Sequence, residues 1–195
     1  VCREAGRCPF GARCDGAAWC PHSRRCFVCD ACSCEACGLV RGDGADVLCL
    51  AQRLGLARGV AAVFLDFDRT LSTTRSGGSP LVGTHTCDAE LKNLASMLPE
   101  RTYIVTRNSM RADIEEFLKA QGMRHGGIFT VKKHQSKADV VLDASLAVGD
   151  GALIFADDSI AEHLDARLRA NARVHRVLFV RAGVAGDARD GGEEV

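Results

Sequence analysis

The sequence lacks a long apolar run and lacks net charge, and each absence excludes a class of protein. Lysine plus arginine and aspartate plus glutamate number 25 each, so the basic field typical of nucleic-acid-binding domains is missing. No apolar stretch approaches the ~18 residues that a membrane-spanning helix needs. The first residues also lack the charged-then-apolar layout of a secretory signal. We therefore expect a folded protein that has no membrane partner.

Cysteine is scarce in most of the chain and crowded at one end. Nine of the 11 cysteines lie in the first 37 residues, and only Cys49 and Cys87 follow. The disulfides of a secreted protein are usually spread through the whole fold, so this crowding favours metal ligation in a reducing compartment, the cytosol or the nucleus. We expect residues 1–44 to bind one or two structural Zn²⁺ ions. Disulfides and a disordered reactive tail are the alternatives.

Two groups of residues in this Cys-rich segment have the spacing of zinc ligands. Two C-x-x-C motifs can bring four thiolates to one tetrahedral ion, and they comprise Cys26, Cys29, Cys34 and Cys37. A second group upstream comprises Cys8, Cys14 and Cys20, which are spaced six residues apart, with His22 close behind. Residues 6–14 resemble part of a CCCH zinc finger, a class that often binds RNA, but position 18 is Ala18 where a histidine is expected. The segment is thus a candidate for binding nucleic acid or protein.

After Gly59, short apolar runs alternate with amphipathic helical stretches. Each run is continuously apolar, which is typical of parallel strands covered on both faces. The alternation predicts an α/β fold, a doubly wound, parallel, five-stranded Rossmann-like sheet over residues 59–182. The five strands are predicted at 61–65, 103–105, 128–131, 152–156 and 177–180. Residues 45–58 are predicted as a connecting helix that packs onto the sheet, and residues 183–195 as a polar C-terminal tail.

Polar side chains cluster at the predicted strand ends and in the loops that follow them. Because ligands of an open parallel sheet bind beyond the carboxyl ends of its strands, we expect these side chains in one crevice. Clustered carboxylates repel one another, and Mg²⁺ relieves that repulsion while keeping waters that a phosphate can replace. The set therefore predicts magnesium-assisted chemistry at phosphorus. Its members are Asp66, Asp68 and Thr70 after the first strand, Thr106, Arg107 and Asn108 after the second, Lys133 and Lys137 before the third helix, and Asp157 and Asp158 after the fourth strand.

The order D-x-D-x-T, strand-terminal Thr, Lys and D-D resembles the haloacid dehalogenase-like superfamily, specifically its phosphatases, over roughly residues 60–180. The resemblance implies that Asp66 is the nucleophile that becomes phosphorylated. It implies that Asp68 protonates the leaving alcohol and then activates water. Thr106 and a lysine would bind the phosphoryl group, with Lys137 as the first candidate for this lysine and Lys133 as the second.

The same resemblance assigns the ligands of Mg²⁺. Asp66 and Asp157 would bind the ion, and Asp158 would support it directly or through water. The backbone carbonyl of Asp68 would be the remaining Mg²⁺ ligand that the protein provides. Members that cleave carbon–halogen bonds lack the second aspartate of the first motif, so its presence favours phosphate chemistry. Glu162 has the spacing of a third family acid, but we expect it to face solvent.

Residues beside the acids are candidates for binding the substrate. They are Thr70, Arg107, Asn108 and Lys133, and Arg69 and Arg75 could also contact a phosphate, although surface arginines are common. Residues 71–85 are long enough for a flap but too short for a cap domain. We therefore expect an open crevice that accepts a phosphorylated small molecule or macromolecule.

Two other functions stay open at this point. One is a zinc-finger module that binds nucleic acid or protein and carries a phosphatase domain for phosphorylated ends or residues. Binding by residues 1–44 alone would favour it. The other is an inactive scaffold of the same fold, which is weakened because no catalytic position of the resemblance is missing.

Overall fold

The computed structural model describes residues 39–56, 58–132 and 134–181, and its centre is a six-stranded sheet. The strands are β1 (Leu39–Gly42), β2 (Val60–Leu65), β3 (Thr102–Thr106), β4 (Gly127–Thr130), β5 (Ala152–Asp157) and β6 (Val174–Phe179). All neighbouring strands are parallel, in the order β1-β6-β5-β2-β3-β4. The helices are α1 (Gly44–Arg53), α2 (Ala89–Met97), α3 (Arg111–Ala120), α4 (Lys137–Ala147), α5 (Ile160–His163) and α6 (Ala166–Ala170), with a 3-10 turn at Pro99–Arg101.

Helices cover both faces of the sheet, as the apolar runs predicted. On one face α1, α2 and α3 place Val47, Leu91 and Ile114 against inward side chains of the strands. On the other face α4 and α6 contribute Val141 and Leu168. Residues of β2 contribute to both cores, and all six are buried. The prediction of an α/β sheet with parallel strands is confirmed. In the described part of the chain, no helix combines the length and apolarity that crossing a bilayer requires.

The sheet has one strand more than the five that were predicted. The additional strand, β1, lies inside residues 1–44 and pairs with β6 from Leu39–Arg176 to Gly42–Phe179. It was missed because it has only four residues, of which the middle two are half-buried at the edge of the sheet. Gly42 ends β1, and Asp43 caps α1 through hydrogen bonds from Ala45 N and Asp46 N.

The strand order brings particular strand ends together. From β2 the chain proceeds outward to β3 and β4, and it then returns to form β5 on the other side of β2. The connections leave β2 and β5 in opposite directions, which opens a crevice at their carboxyl ends. Asp66 follows β2 and donates its N–H to Ala156 O of β5 at 2.9 Å, so the two strands stay paired up to the crevice.

Candidate functional site

Three carboxylates from two adjacent strands meet in this crevice. Asp66 follows β2, Asp157 is the last residue of β5, and Asp158 comes next. One carboxylate oxygen from each lies within 4.8 Å of the others. Asp66 is 4% exposed and Asp157 is 0% exposed. The acids that the sequence assigned to separate strand ends thus converge on one small volume.

Lys137 lies between two of these acids. Its Nζ donates to Asp66 Oδ1 at 2.5 Å and to Asp157 Oδ2 at 2.7 Å. Lys137 is the first residue of α4, where Ser136 caps the helix by accepting from Ala138 N, and this places the side chain across the crevice. Burial disfavours the charged ammonium, but attraction from Asp157 and Asp66 outweighs it and raises the pKa of Lys137. This ammonium holds the two buried acids together in the structure.

One ammonium does not balance three carboxylates. Burial, and then repulsion from Asp157, raises the pKa of Asp66 even beside Lys137. The same two causes raise the pKa of Asp158 to about 6. A further cation would lower both pKa values and relieve the repulsion. The described crevice is therefore short of positive charge.

The donor atoms suit a hard divalent cation. All three side chains offer carboxylate oxygens, the ligands that Mg²⁺ binds in proteins, and the excess negative charge fits a doubly charged ion. Mg²⁺ would be held by Asp66, Asp157 and Asp158. The fourth ligand implied by the resemblance, the backbone carbonyl of Asp68, stays a prediction.

Mg²⁺ should raise the midpoint of thermal unfolding more at pH 8 than at pH 5. Because the folded pKa of Asp158, about 6, lies above the reference value of 3.8, the metal-free chain loses stability as the pH rises between those values. A bound ion would require the ionised carboxylate, so its stabilisation would appear as Asp158 loses its proton. We expect a shift of about 3–6 °C at pH 8 by differential scanning fluorimetry with saturating Mg²⁺.

The control for this shift is NaCl at equal ionic strength, which should leave the midpoint nearly unchanged. The variant Asp157→Asn should lose most of the Mg²⁺ shift, because it removes a charged ligand. Equal shifts with Mg²⁺ and NaCl, or equal shifts at both pH values, would contradict a divalent site at these acids.

Asp68 is held by the loop that follows it. Its Oδ2 accepts from Gly77 N at 2.7 Å, and its Oδ1 accepts from Asn108 Nδ2 at 3.1 Å. Gly77 has a φ of 75°, a conformation that glycine adopts without strain. Burial raises the pKa of Asp68, against the two hydrogen bonds that lower it. Both oxygens of this carboxyl group are thus oriented by fixed donors.

Asn108 connects the loop to Asp68. Its Nδ2 also donates to Gly78 O at 2.8 Å, and its Oδ1 accepts from Met110 N at 3.0 Å. The side-chain amide therefore has a protein partner for each of its groups. The structure places Asn108, predicted to bind substrate, as a residue that positions Asp68 beneath the loop tip.

The two threonines of the predicted site are both buried. Thr106 ends β3, and its hydroxyl oxygen accepts from Asn108 N at 3.0 Å, which leaves the hydroxyl proton for another acceptor. The Thr70 hydroxyl has no hydrogen-bond partner among the described residues, and the Thr70 carbonyl accepts from Arg181 Nη2 at 2.7 Å. Substrate binding by Thr70 stays a prediction.

Arg107 connects three segments that carry site residues. Its Nε donates to Glu162 Oε1 at 2.6 Å, and its Nη1 and Nη2 donate to the carbonyls of Lys132 and Gln135 at 3.1 and 2.9 Å. The last two residues belong to the loop that leads to Lys137. Glu162, expected to face solvent, has a side chain that is only 11% exposed. Arg107 thus lies where it holds the lysine loop against the segment after β5.

His163 was assigned no role from the sequence, yet its ring contacts the backbone carbonyl of Asp157. It is fully buried, and its ring Nε2 lies 3.0 Å from the Asp157 carbonyl oxygen. Burial lowers the pKa of His163. Arg176 donates to the His163 carbonyl at 2.5 Å. A single histidine with no ligand spacing gives no signal of such a contact in the sequence.

Several predicted residues lie outside the described part of the chain. These are the candidate zinc ligands Cys26, Cys29, Cys34, Cys37, Cys8, Cys14, Cys20 and His22, and the second lysine candidate, Lys133. Structural zinc and its ligand grouping stay predictions from the sequence.

The fold and the crevice define an α/β protein with a lysine-bridged acidic site at the carboxyl edge of a parallel sheet. Comparisons with protein-family models, curated proteins and solved structures find no match to this chain.

Proposed function

We propose that the protein is a Mg²⁺-dependent phosphohydrolase that cleaves phosphate monoesters through an aspartyl-phosphate on Asp66. The observation that carries the proposal is the convergence of Asp66, Asp157 and Asp158 around the Lys137 ammonium. A crevice that is buried, short of positive charge and rich in carboxylate oxygens suits a reaction between a carboxylate and a phosphate. The order of motifs that resembles the haloacid dehalogenase-like phosphatases supports the same assignment.

In the first step, a carboxylate oxygen of Asp66 attacks phosphorus, and the bond from phosphorus to the ester oxygen breaks. Mg²⁺, when bound by the acids, offsets the charge of carboxylate and phosphate so that the two anions can approach. Lys137 is close enough to Asp66 to exchange that contact for a phosphoryl oxygen. The Thr106 hydroxyl donates to another phosphoryl oxygen. These fixed donors stabilise the charge that develops during transfer.

Asp68 acts as the general acid in the first step and as the general base in the second. Its raised pKa favours a protonated carboxyl group that donates to the leaving oxygen and becomes a carboxylate. That carboxylate then takes a proton from the water that attacks phosphorus. The bond from phosphorus to Asp66 breaks, inorganic phosphate leaves, and both aspartates return to their starting states. The donors Gly77 N and Asn108 Nδ2 keep Asp68 aimed for these transfers.

The loop that follows β2, residues 66–88, is anchored by contacts to α3 and to Asn108. Ser79 Oγ donates to Asp113 Oδ2 of α3 at 2.5 Å, and Gly78 is held by Asn108. No further domain lies between β2 and α2, because residues 66–88 form only this loop. This connection therefore carries no cap domain, and we infer that the substrate is a phosphorylated small molecule or the phosphorylated group of a macromolecule.

The proposal is tested by hydrolysis of p-nitrophenyl phosphate by the full chain with Mg²⁺ or with EDTA. We expect hydrolysis only with Mg²⁺. Asp68→Asn should lower kcat by about 10²–10⁴-fold, because an amide provides neither acid nor base. The control is Asp143→Asn, which removes an exposed acid of α4 outside the crevice and should keep full activity. Hydrolysis that persists in EDTA, or an Asp68→Asn chain with unchanged kcat, would refute the mechanism.

A further inference from the structure

Arg69 has a backbone conformation that its side chain disfavours. Its φ is 64°, and it is the one residue other than glycine in the described ranges with a positive φ. The turn requires this conformation, since Arg69 N donates to Thr74 O at 3.1 Å and so closes the start of the loop. Glycine would adopt the same φ without the steric clash of a Cβ atom. A strained residue beside a crevice suggests a function for its side chain.

The Arg69 side chain lies at the mouth of the crevice. The residue is exposed and directly follows Asp68, and its positive charge acts on both Asp68 and Asp158. Within the described part of the chain, its guanidinium makes no hydrogen bond and no ion pair with another side chain. Lys137, by contrast, is buried and bound to two acids. Lys137 therefore contacts the buried acids directly, whereas the guanidinium donors of Arg69 are not used by the described side chains.

We propose that Arg69 binds a second anionic group of the substrate, a carboxylate or phosphate carried by the leaving group. This inference rests on the proposed phosphohydrolase function. Asp68 protonates the leaving oxygen in that function, so the residue next to Asp68 lies on the side where the leaving group departs. A guanidinium offers a planar fork of donors that matches a carboxylate or phosphate. The preferred substrate class is then a phosphate monoester with a second negative charge near the scissile phosphate.

A matched pair of substrates tests the inference. The full chain is assayed with Mg²⁺ on 3-carboxyphenyl phosphate and on its methyl ester, which differ by one negative charge on the leaving group. We expect kcat/KM to favour the carboxylate by about tenfold or more, as for a charge-assisted hydrogen bond. In Arg69→Gln and in Arg69→Gly this ratio should fall close to one. The same ratio of kcat/KM is measured for a 3′-phosphorylated dinucleotide and the corresponding nucleoside 3′-phosphate. It shows whether a phosphodiester can replace the carboxylate as the group that Arg69 binds.

Two variants separate the effect of the Arg69 charge from the effect of its backbone conformation. Arg69→Gln removes the charge and keeps the strained φ, whereas Arg69→Gly removes both, so Arg69→Gly should unfold at an equal or higher temperature than the wild-type chain. Loss of the preference in a chain of undiminished stability cannot come from misfolding. The matched control is Arg58→Gln, which removes an exposed charge before β2, at the opposite end of the strand, and should keep the wild-type ratio.

The failing outcomes are distinct. If the wild-type chain hydrolyses both esters but shows no preference, or if the Arg69 variants lower both rates equally, Arg69 only balances the acids of the site and the inference is overturned. If the wild-type chain hydrolyses neither ester with Mg²⁺, the proposed function fails and the inference fails with it.

Discussion

Asp66→Asn should lower the rate of phosphate monoester hydrolysis by several orders of magnitude, on the order of 10⁵-fold, as for the loss of other covalent nucleophiles. An amide cannot replace the carboxylate, because it neither attacks phosphorus readily nor forms an aspartyl-phosphate. The measurement is kcat/KM on an aryl phosphate with Mg²⁺. Acid quenching followed by mass spectrometry should detect covalent phosphate on a peptide that contains Asp66 in the wild-type chain and none in the variant.

The Asp66→Asn chain should fold normally, which makes the result interpretable. The amide oxygen can still accept from Lys137 Nζ, and the loss of one charge reduces the repulsion from Asp157 that raises the pKa of Asp66. The thermal midpoint without metal should thus be equal to or above that of the wild type. Full activity in this variant would show that the phosphoryl group is not transferred to Asp66.

Lys137→Met should reduce the free energy of unfolding by about 3–5 kcal/mol when Mg²⁺ is absent, the range found when one partner of a buried ion pair is removed. The ammonium is nearly inaccessible and bridges Asp66 and Asp157. Methionine fills a similar volume but leaves two buried carboxylates facing each other. Urea denaturation in EDTA near neutral pH measures the loss.

Mg²⁺ should restore part of the stability lost in Lys137→Met, because the ion replaces the missing charge between the acids. Activity should remain low, since the phosphoryl group has lost its ammonium. Lys119→Met is the control, because Lys119 is an exposed lysine of α3. If Lys137→Met is as stable as Lys119→Met in EDTA, then the ammonium does not hold the site together.

The sequence predicted most of the sheet because its inner strands are buried at nearly every position. The run of β2 is apolar at every position, and both its faces are covered, so the pattern is unambiguous. Once β2 and β5 are identified, the rule for ligands of parallel sheets places Asp66 near Asp157. β1 was missed because an edge strand of four residues with Arg41 in it has no such run.

The supporting contacts of the site could not be predicted, because each depends on how a loop is folded. Arg107 follows β3, and its partner Glu162 lies 55 positions away on α5. Asn108 reaches Asp68 and Gly78 only because the loop after β2 turns back over the crevice. No periodicity links such residues. The sequence was enough to predict the chemical groups of the site, but not the contacts that orient them.

The pairing of β1 with β6 means that this sheet is complete only after β6 has been synthesised. The first described strand forms its ladder with the last one, so the register from Leu39–Arg176 to Gly42–Phe179 spans almost the whole described chain. Contacts between distant parts of a chain form slowly. After β5 has been synthesised and before β6 follows, β1 has no partner in the sheet and β5 has an unpaired edge. A nascent chain that stalls before β6 would therefore expose unpaired strands, which is a route to aggregation.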